Sequence, residues 1–98
     1  MTITKKQNAD ALELALEGRL DTTTAPELEK ELAAVLPGVK ELTLDCEGLE
    51  YLSSAGLRVL LSAQKVMNKQ GSMKVKNVNE IIMEIFEVTG FSDILTIE

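Results

Sequence analysis

Leu12, Leu14 and Leu16 alternate with Glu13, Ala15 and Glu17. A period of two over this length predicts a strand with one face in a core. Thr2 to Lys6 carries a weaker strand pattern, and Asn8-Ala9-Asp10 between the two segments is turn-like. The pair predicts a hairpin, although the first segment alone also fits a frayed terminus. Gly18-Arg19-Leu20-Asp21 then breaks the alternation.

From Thr24 to Val35 the period becomes helical, with Leu28, Leu32 and Val35 on one face. Thr24 and Glu27 have capping-box spacing, and Pro26 sits in the first turn, where its missing N–H costs nothing. Pro37-Gly38 ends this helix. Val39 to Cys46 alternates again, with Leu42, Leu44 and Cys46 set against Thr43 and Asp45, and Gly48 opens a loop. A long helical stretch runs from about Ser54 to Lys69 and closes at Gly71. Ser72 to Val78 reads as a strand with Met73 and Val75 inward and Lys74 and Lys76 outward. Asn79 begins a helix carrying Ile82, Ile85 and Phe86, closed by Gly90, and Ser92 to Leu95 fits one more short turn.

The order β-β-α-β-α-β-α predicts an α/β fold. Strands that alternate with helices pair in parallel through right-handed crossovers, and the initial hairpin adds an antiparallel pair. The expectation is a mixed sheet of about four strands with helices packed on it, residues 1–98 forming one domain.

Composition narrows the function. Ten Lys plus Arg against sixteen Asp plus Glu give a net charge of −6 at pH 7. That balance argues against a nucleic-acid partner. One Cys allows no internal disulfide and fits a reducing cytoplasm. The absence of His removes every Ser-His or Cys-His nucleophile and every His-ligated metal site. The polar start has no signal-peptide core, and no apolar run reaches the ~18–20 residues of a membrane span. No cofactor or metal is implied. Asp45, Glu47 and Glu50 lack ligand spacing for Mg²⁺, and the six glycines punctuate the chain without forming a phosphate loop. Cys46, Met67, Met73 and Met83 read as core, and Glu27, Glu29, Lys30 and Glu31 as a solvated helix face.

The informative stretch runs from Leu49 to Leu61 and joins a strand to a helix through small residues. Its plain reading is structural: Ser53 caps the helix, and Ala55 and Gly56 permit close packing. At about 100° per residue, Ala55, Val59, Leu60, Ala63, Val66 and Met67 form the core face. Arg58, Ser62, Lys65 and Lys69 lie beside Ser54 on the outer face, and Leu57 and Leu61 also lie nearer to Ser54. A hydroxyl at a helix start flanked by two half-exposed leucines reads as a contact surface. Burial of those leucines under a neighbouring loop or helix is equally open.

With Gly18-Arg19-Leu20-Asp21 and Thr24-Ala25-Pro26-Glu27-Leu28 upstream, this stretch resembles the STAS domain, and more closely the stand-alone bacterial anti-sigma-factor antagonists. The resemblance covers about Leu12 to Leu95. It implies that Ser54 occupies the position phosphorylated by an anti-sigma factor that is also a serine kinase. The usual motif has an acidic residue just before the acceptor, and Ser53 stands there instead. Asp21 matches an acid that family members place near the acceptor; a turn or cap residue fits it equally well. The resemblance therefore implies a partner-binding set of Asp21, Ser53, Ser54, Leu57, Arg58 and Leu61, in a cytoplasmic regulator of transcription with no catalysis of its own. The alternative is a STAS accessory subunit that is not phosphorylated, for example on a lipid-transport ATPase. Which of Ser53 and Ser54 accepts phosphate stays open, as does oligomeric state, with a monomer the default.

Overall fold

The alternation at Leu12, Leu14 and Leu16 places all three side chains in the interior, each 2% exposed or less. A computed structural model describes residues 1–98. Its elements are β1 (Thr2–Asn8), β2 (Ala11–Leu20), α1 (Ala25–Val35), β3 (Glu41–Leu52), α2 (Ser54–Gln70), β4 (Ser72–Lys76) and α3 (Glu80–Thr89), followed by a 3-10 turn at Phe91–Asp93. The element order is the one predicted.

The four strands lie in the order β1-β2-β3-β4. β1 is antiparallel to β2, and β2–β3 and β3–β4 are parallel. The hairpin turn is Ala9-Asp10, because Asn8 pairs with Ala11. Ala9 takes φ 56°, the left-handed conformation that a two-residue hairpin demands. After the 3-10 turn the chain returns to the sheet. Val75 N donates to Thr96 O at 2.8 Å, and Glu98 N donates to Val75 O at 2.8 Å.

Leu12, Leu14 and Leu16 of β2, Leu42, Leu44 and Cys46 of β3, and Met73 and Val75 of β4 form one buried set. Leu28 and Leu32 of α1, Leu60 and Met67 of α2, and Ile82 and Phe86 of α3 pack into the same core. Each fully buried leucine contributes about 2 kcal/mol relative to exposure. The intervening strand positions form a polar face, where Lys76 Nζ lies 3.0 Å from Glu13 Oε1 across β3. That ion pair, Glu13 as acceptor first, holds the Lys76 ammonium above its ordinary range.

Several sequence expectations need correction. Gly18-Arg19-Leu20 does not end β2; the strand runs on to a fully buried Leu20. Gly48 does not open a loop but pairs with Glu17 inside β3. The reason is visible in the register. Ala15 pairs with Asp45, Glu17 with Gly48, and Arg19 with Tyr51, so β3 twice gains a residue on β2. Buried positions in β3 therefore fall at Cys46, Leu49 and Leu52, three apart, and the period of two disappears.

The capping box at Thr24 is also absent. Thr24 is already helical at φ −98°, ψ −20°, and its hydroxyl donates to Arg19 O at 2.7 Å. Helical turns start earlier, with Ala25 N donating to Asp21 O at 2.8 Å. Met83 is half-buried and lies outside the core. By contrast α3 is capped as expected: Asn79 Oδ1 accepts from Ile82 N at 2.9 Å. Gly71 closes α2 for lack of space, since a Cβ there would collide with the Lys40 carbonyl. No helix is long and apolar enough to cross a membrane.

Candidate functional site

β2 and β3 end side by side, with Arg19 opposite Tyr51 and Leu20 opposite Leu52. The carboxyl ends of parallel strands are where α/β folds place their binding sites. At this edge Ser53 N donates to Leu20 O at 2.9 Å, and the chain turns directly into α2. Ser53 is extended (φ −93°, ψ 174°) and half-buried, and its Oγ accepts from Gly56 N at 3.4 Å. It is the cap of α2.

Ser54 differs in each respect. It is the first residue of α2, it is exposed, and its hydroxyl makes no hydrogen bond within the protein. Gly56 brings this helix start onto the strand ends. A Cβ there would lie 2.7 Å from Leu20 Cγ, 2.8 Å from Leu52 Cδ1 and 3.0 Å from Leu20 O. The small residues after Ser54 thus set how closely the hydroxyl sits to the sheet edge.

The buried arc of α2 is Gly56, Leu57, Val59, Leu60, Ala63, Gln64 and Met67. This arc is rotated by about 60° from the helical-wheel expectation. Leu57, for which the sequence leaves half-exposure and burial equally open, is 7% exposed and belongs to the core. Leu61 is half-buried as expected. Val66, expected in the core, is 41% exposed. Gln64 takes the buried place, where its Nε2 donates to Asn68 Oδ1 at 2.8 Å and its Oε1 is left without a partner. Arg58, Lys65 and Lys69 are exposed, make no ion pair, and meet no acidic residue on α2. The outer face of the helix beside Ser54 is therefore uniformly basic.

Asp21 follows Leu20 on the same edge and organises the turn into α1. Its Oδ1 accepts from Thr23 Oγ1 at 2.8 Å, Thr23 N at 3.0 Å and Thr24 N at 3.2 Å. Its own N–H donates to Thr24 Oγ1 at 2.8 Å. The Thr23 hydroxyl, helped by the Thr24 and Thr23 amides, holds the carboxyl below its ordinary 3.8. Asp21 is thus the turn and cap residue that the sequence allowed, and it hydrogen-bonds to nothing on α2. Thr22, Pro26, Glu29, Ala55 and Arg58 line a shallow hollow between the starts of α1 and α2.

Two residues at this edge escaped the sequence reading. Arg19 Cζ lies 4.3 Å from the centre of the Tyr51 ring, and Arg19 Nε lies 3.7 Å from Asp21 Oδ2. Their pairing depends on the two bulges of β3, which no local pattern announces. The acids around Gly48 do not converge. Asp45 Oδ1 is taken up by Asn77 Nδ2 at 3.0 Å and Glu47 N at 3.1 Å, and the Asn77 amide foremost lowers its pKa. No three metal-ligating side chains come together. Cys46 is fully buried, and burial pushes its thiol up to about 12.

Residues 3–96 match the family described as "Mlab, STAS domain". The chain is 31% identical over 93 residues to the anti-sigma-B factor antagonist of Bacillus subtilis, covering 94% of this chain and 85% of that one. Its fold is similar to that of an anti-sigma factor antagonist from Mycobacterium paratuberculosis, with a TM-score of 0.89 at 23% identity over 98% of this chain and 83% of the other. It is also similar to the anti-sigma factor antagonist SpoIIAA in its unphosphorylated form, with a TM-score of 0.78 at 14% identity over 99% and 87% of the two chains. A further structure holds SpoIIAA, of Bacillus, in its phosphorylated form, with a TM-score of 0.77 at 14% identity over 99% and 91%.

Proposed function

The chain belongs to the STAS-domain family of anti-sigma-factor antagonists, and on that premise we propose that it binds a serine-kinase anti-sigma factor and is switched off by phosphorylation on Ser54. Residues 1–98 act as one regulatory domain in the cytoplasm. Unphosphorylated, the protein holds the kinase and so releases a sigma factor; phosphorylated, it lets go.

The observation that carries the reading is the contrast between two adjacent serines. Ser53 is half-buried and spends its oxygen on the Gly56 N–H, whereas Ser54 is exposed and unbonded. Only Ser54 can present its hydroxyl to an enzyme without uncapping α2. The contact surface around it comprises Asp21, Ser53, Arg58 and Leu61, with Leu57 supporting the helix from beneath.

Phosphorylation adds about 1.5–2 negative charges at pH 7. At the first residue of a helix those charges meet unpaired N–H groups and the positive end of the helix dipole. Arg58, one turn on, is free to pair with them. The modification therefore leaves α2 intact and acts on the interface. The outer face of α2 exposes three basic and no acidic side chains, which suits an acidic partner surface. A phosphate offsets about half to two-thirds of that charge and repels the same partner.

The protein is a substrate here, and catalysis and nucleotide belong to the partner. With no His in the chain and no hydrogen-bond partner for the Ser54 hydroxyl, no base activates that oxygen. A second reading, an accessory subunit that is never phosphorylated, draws on Ser53 standing where an acid usually precedes the acceptor. The test incubates the protein with candidate anti-sigma kinases and ATP and maps the modified residue by mass spectrometry. Label on Ser54 that vanishes in Ser54→Ala supports the switch. Tight binding to a transport ATPase with no phosphate from any kinase supports the second reading.

A further inference from the structure

We propose that the outer face of α3 is a second docking surface, fitted to a partner helix with an apolar ridge flanked by Lys or Arg, and that it works independently of Ser54. The helix has two apolar stripes. Ile82 and Phe86 face the core and are fully buried. Ile81 and Val88 point outward, 62% and 80% exposed, with the half-buried Ile85 between them. Positions 81, 85 and 88 have the spacing by which one helix docks on another. Single exposed apolar residues are ordinary, but a contiguous row is not. β-branched residues also favour a helix less than Ala, Glu or Lys would at exposed positions, so helix formation does not account for them.

Charge identifies the occupant. Glu80, Glu84 and Glu87 run beside the stripe, and none is in an ion pair. Residues 77–98 hold five acids and no base, while residues 1–76 hold eleven acids and ten bases. Most of the chain's excess negative charge thus lies in this last segment, and three of its acids, Glu80, Glu84 and Glu87, are on α3 itself. Anionic lipid and nucleic acid are repelled by such a rim. A purely apolar partner leaves the glutamates without a role. A basic amphipathic helix satisfies ridge and rim together. A second copy of the chain offers Arg58, Lys65 and Lys69 on α2, but its accessible apolar residues there, the half-buried Leu61 and the 41% exposed Val66, flank that basic line on opposite sides and form no ridge to match.

The probe is a synthetic 18-residue peptide with a leucine ridge and lysine flanks, titrated into isotopically labelled protein and followed by NMR. The expected result is that shifts concentrate at Ile81, Glu84, Ile85 and Val88. The double variant Ile81→Glu/Val88→Glu, which changes only exposed side chains, binds at least about tenfold more weakly. Glu84→Lys/Glu87→Lys weakens binding and flattens its salt dependence. Ser54→Asp leaves the affinity unchanged, so failure of the phosphorylation reading does not disturb this test. Equal affinity for a scrambled peptide, shifts centred on α1 and α2, or dimerisation of the unliganded protein through Ile81 and Val88 would each overturn the proposal.

Discussion

The guanidinium of Arg19 stacks on the ring of Tyr51, 4.3 Å from its centre, and ties the end of β2 to the end of β3 beside the start of α2. Both side chains are substantially exposed, so the pair contributes about 0.5–1 kcal/mol. A double-mutant cycle of Arg19→Ala and Tyr51→Ala, read by urea unfolding, should return a coupling energy in that range. A value near zero would leave the stack without an energetic role.

Ser53 and Ser54 should separate cleanly in stability. Ser53→Ala removes a helix cap whose bond is long at 3.4 Å, so the loss should fall near 0.5–1 kcal/mol. Ser54→Ala should change unfolding free energy by less than about 0.5 kcal/mol, because its hydroxyl bonds to nothing in the fold. Urea denaturation of the two variants checks this, and equal losses would contradict the division of labour.

Ser54→Asp should keep the wild-type circular dichroism spectrum and melting temperature, since a negative charge at the start of α2 is favourable. Its affinity for the anti-sigma factor, measured by calorimetry, should fall by at least about tenfold. Retained affinity in a folded variant would remove the electrostatic basis of the proposed switch.

Gly56→Ala should destabilise the fold. The added methyl meets two branched core side chains and a backbone carbonyl at 2.7–3.0 Å. Overpacking of this kind costs about 1–3 kcal/mol, against which better helix propensity returns at most about 1 kcal/mol. Thermal and urea unfolding should both show a net loss.

Cys46 should give the protein an alkaline limit. Its thiol titrates at about 12 when folded and near 9.0 in an ordinary environment. The neutral thiol therefore supports the fold fully below pH 9, and that support is lost progressively as pH rises toward 12. Lys76 is also raised, above its ordinary 10.5, so its contribution is lost only at higher pH than the first Cys46 effect. Cys46→Ala should be less stable at pH 7 but lose the decline that begins near pH 9. Asp21 and Asp45 act at the other end: both are depressed below 3.8, so their support is present above that value and lost as pH falls below it.

Much of this was legible in the chain. Leu12, Leu14 and Leu16, Met73 and Val75, and the Asn79 cap announced their elements because one residue type repeated at one local period. β3 was cut short because two bulges spread Cys46, Leu49 and Leu52 three apart, and a bulge is a property of two strands, not one. At the site, Ser54 begins α2 and Arg58 stands exposed one turn on, where the helical pattern puts them. The rotation of α2 was not. Gln64 counts as polar and Val66 as apolar, yet the sheet buries the first and exposes the second, carrying Leu57 inward with it. Arg19 and Tyr51 are far apart in sequence and meet only once the bulges set their register.

The return of the chain to Val75 has a consequence for behaviour at high concentration. β4 is only five residues long and is the last strand of the sheet, so its outer side is a place where another chain could add as a strand. Thr96 and Glu98 already occupy the N–H and C=O of Val75, and Glu98 lies 3.4 Å from Lys74 through its side chain. At the opposite margin β1 carries Lys5 and Lys6. One margin is covered at its centre by the returning backbone and the other carries like charge, two devices that disfavour the addition of a strand from a second molecule.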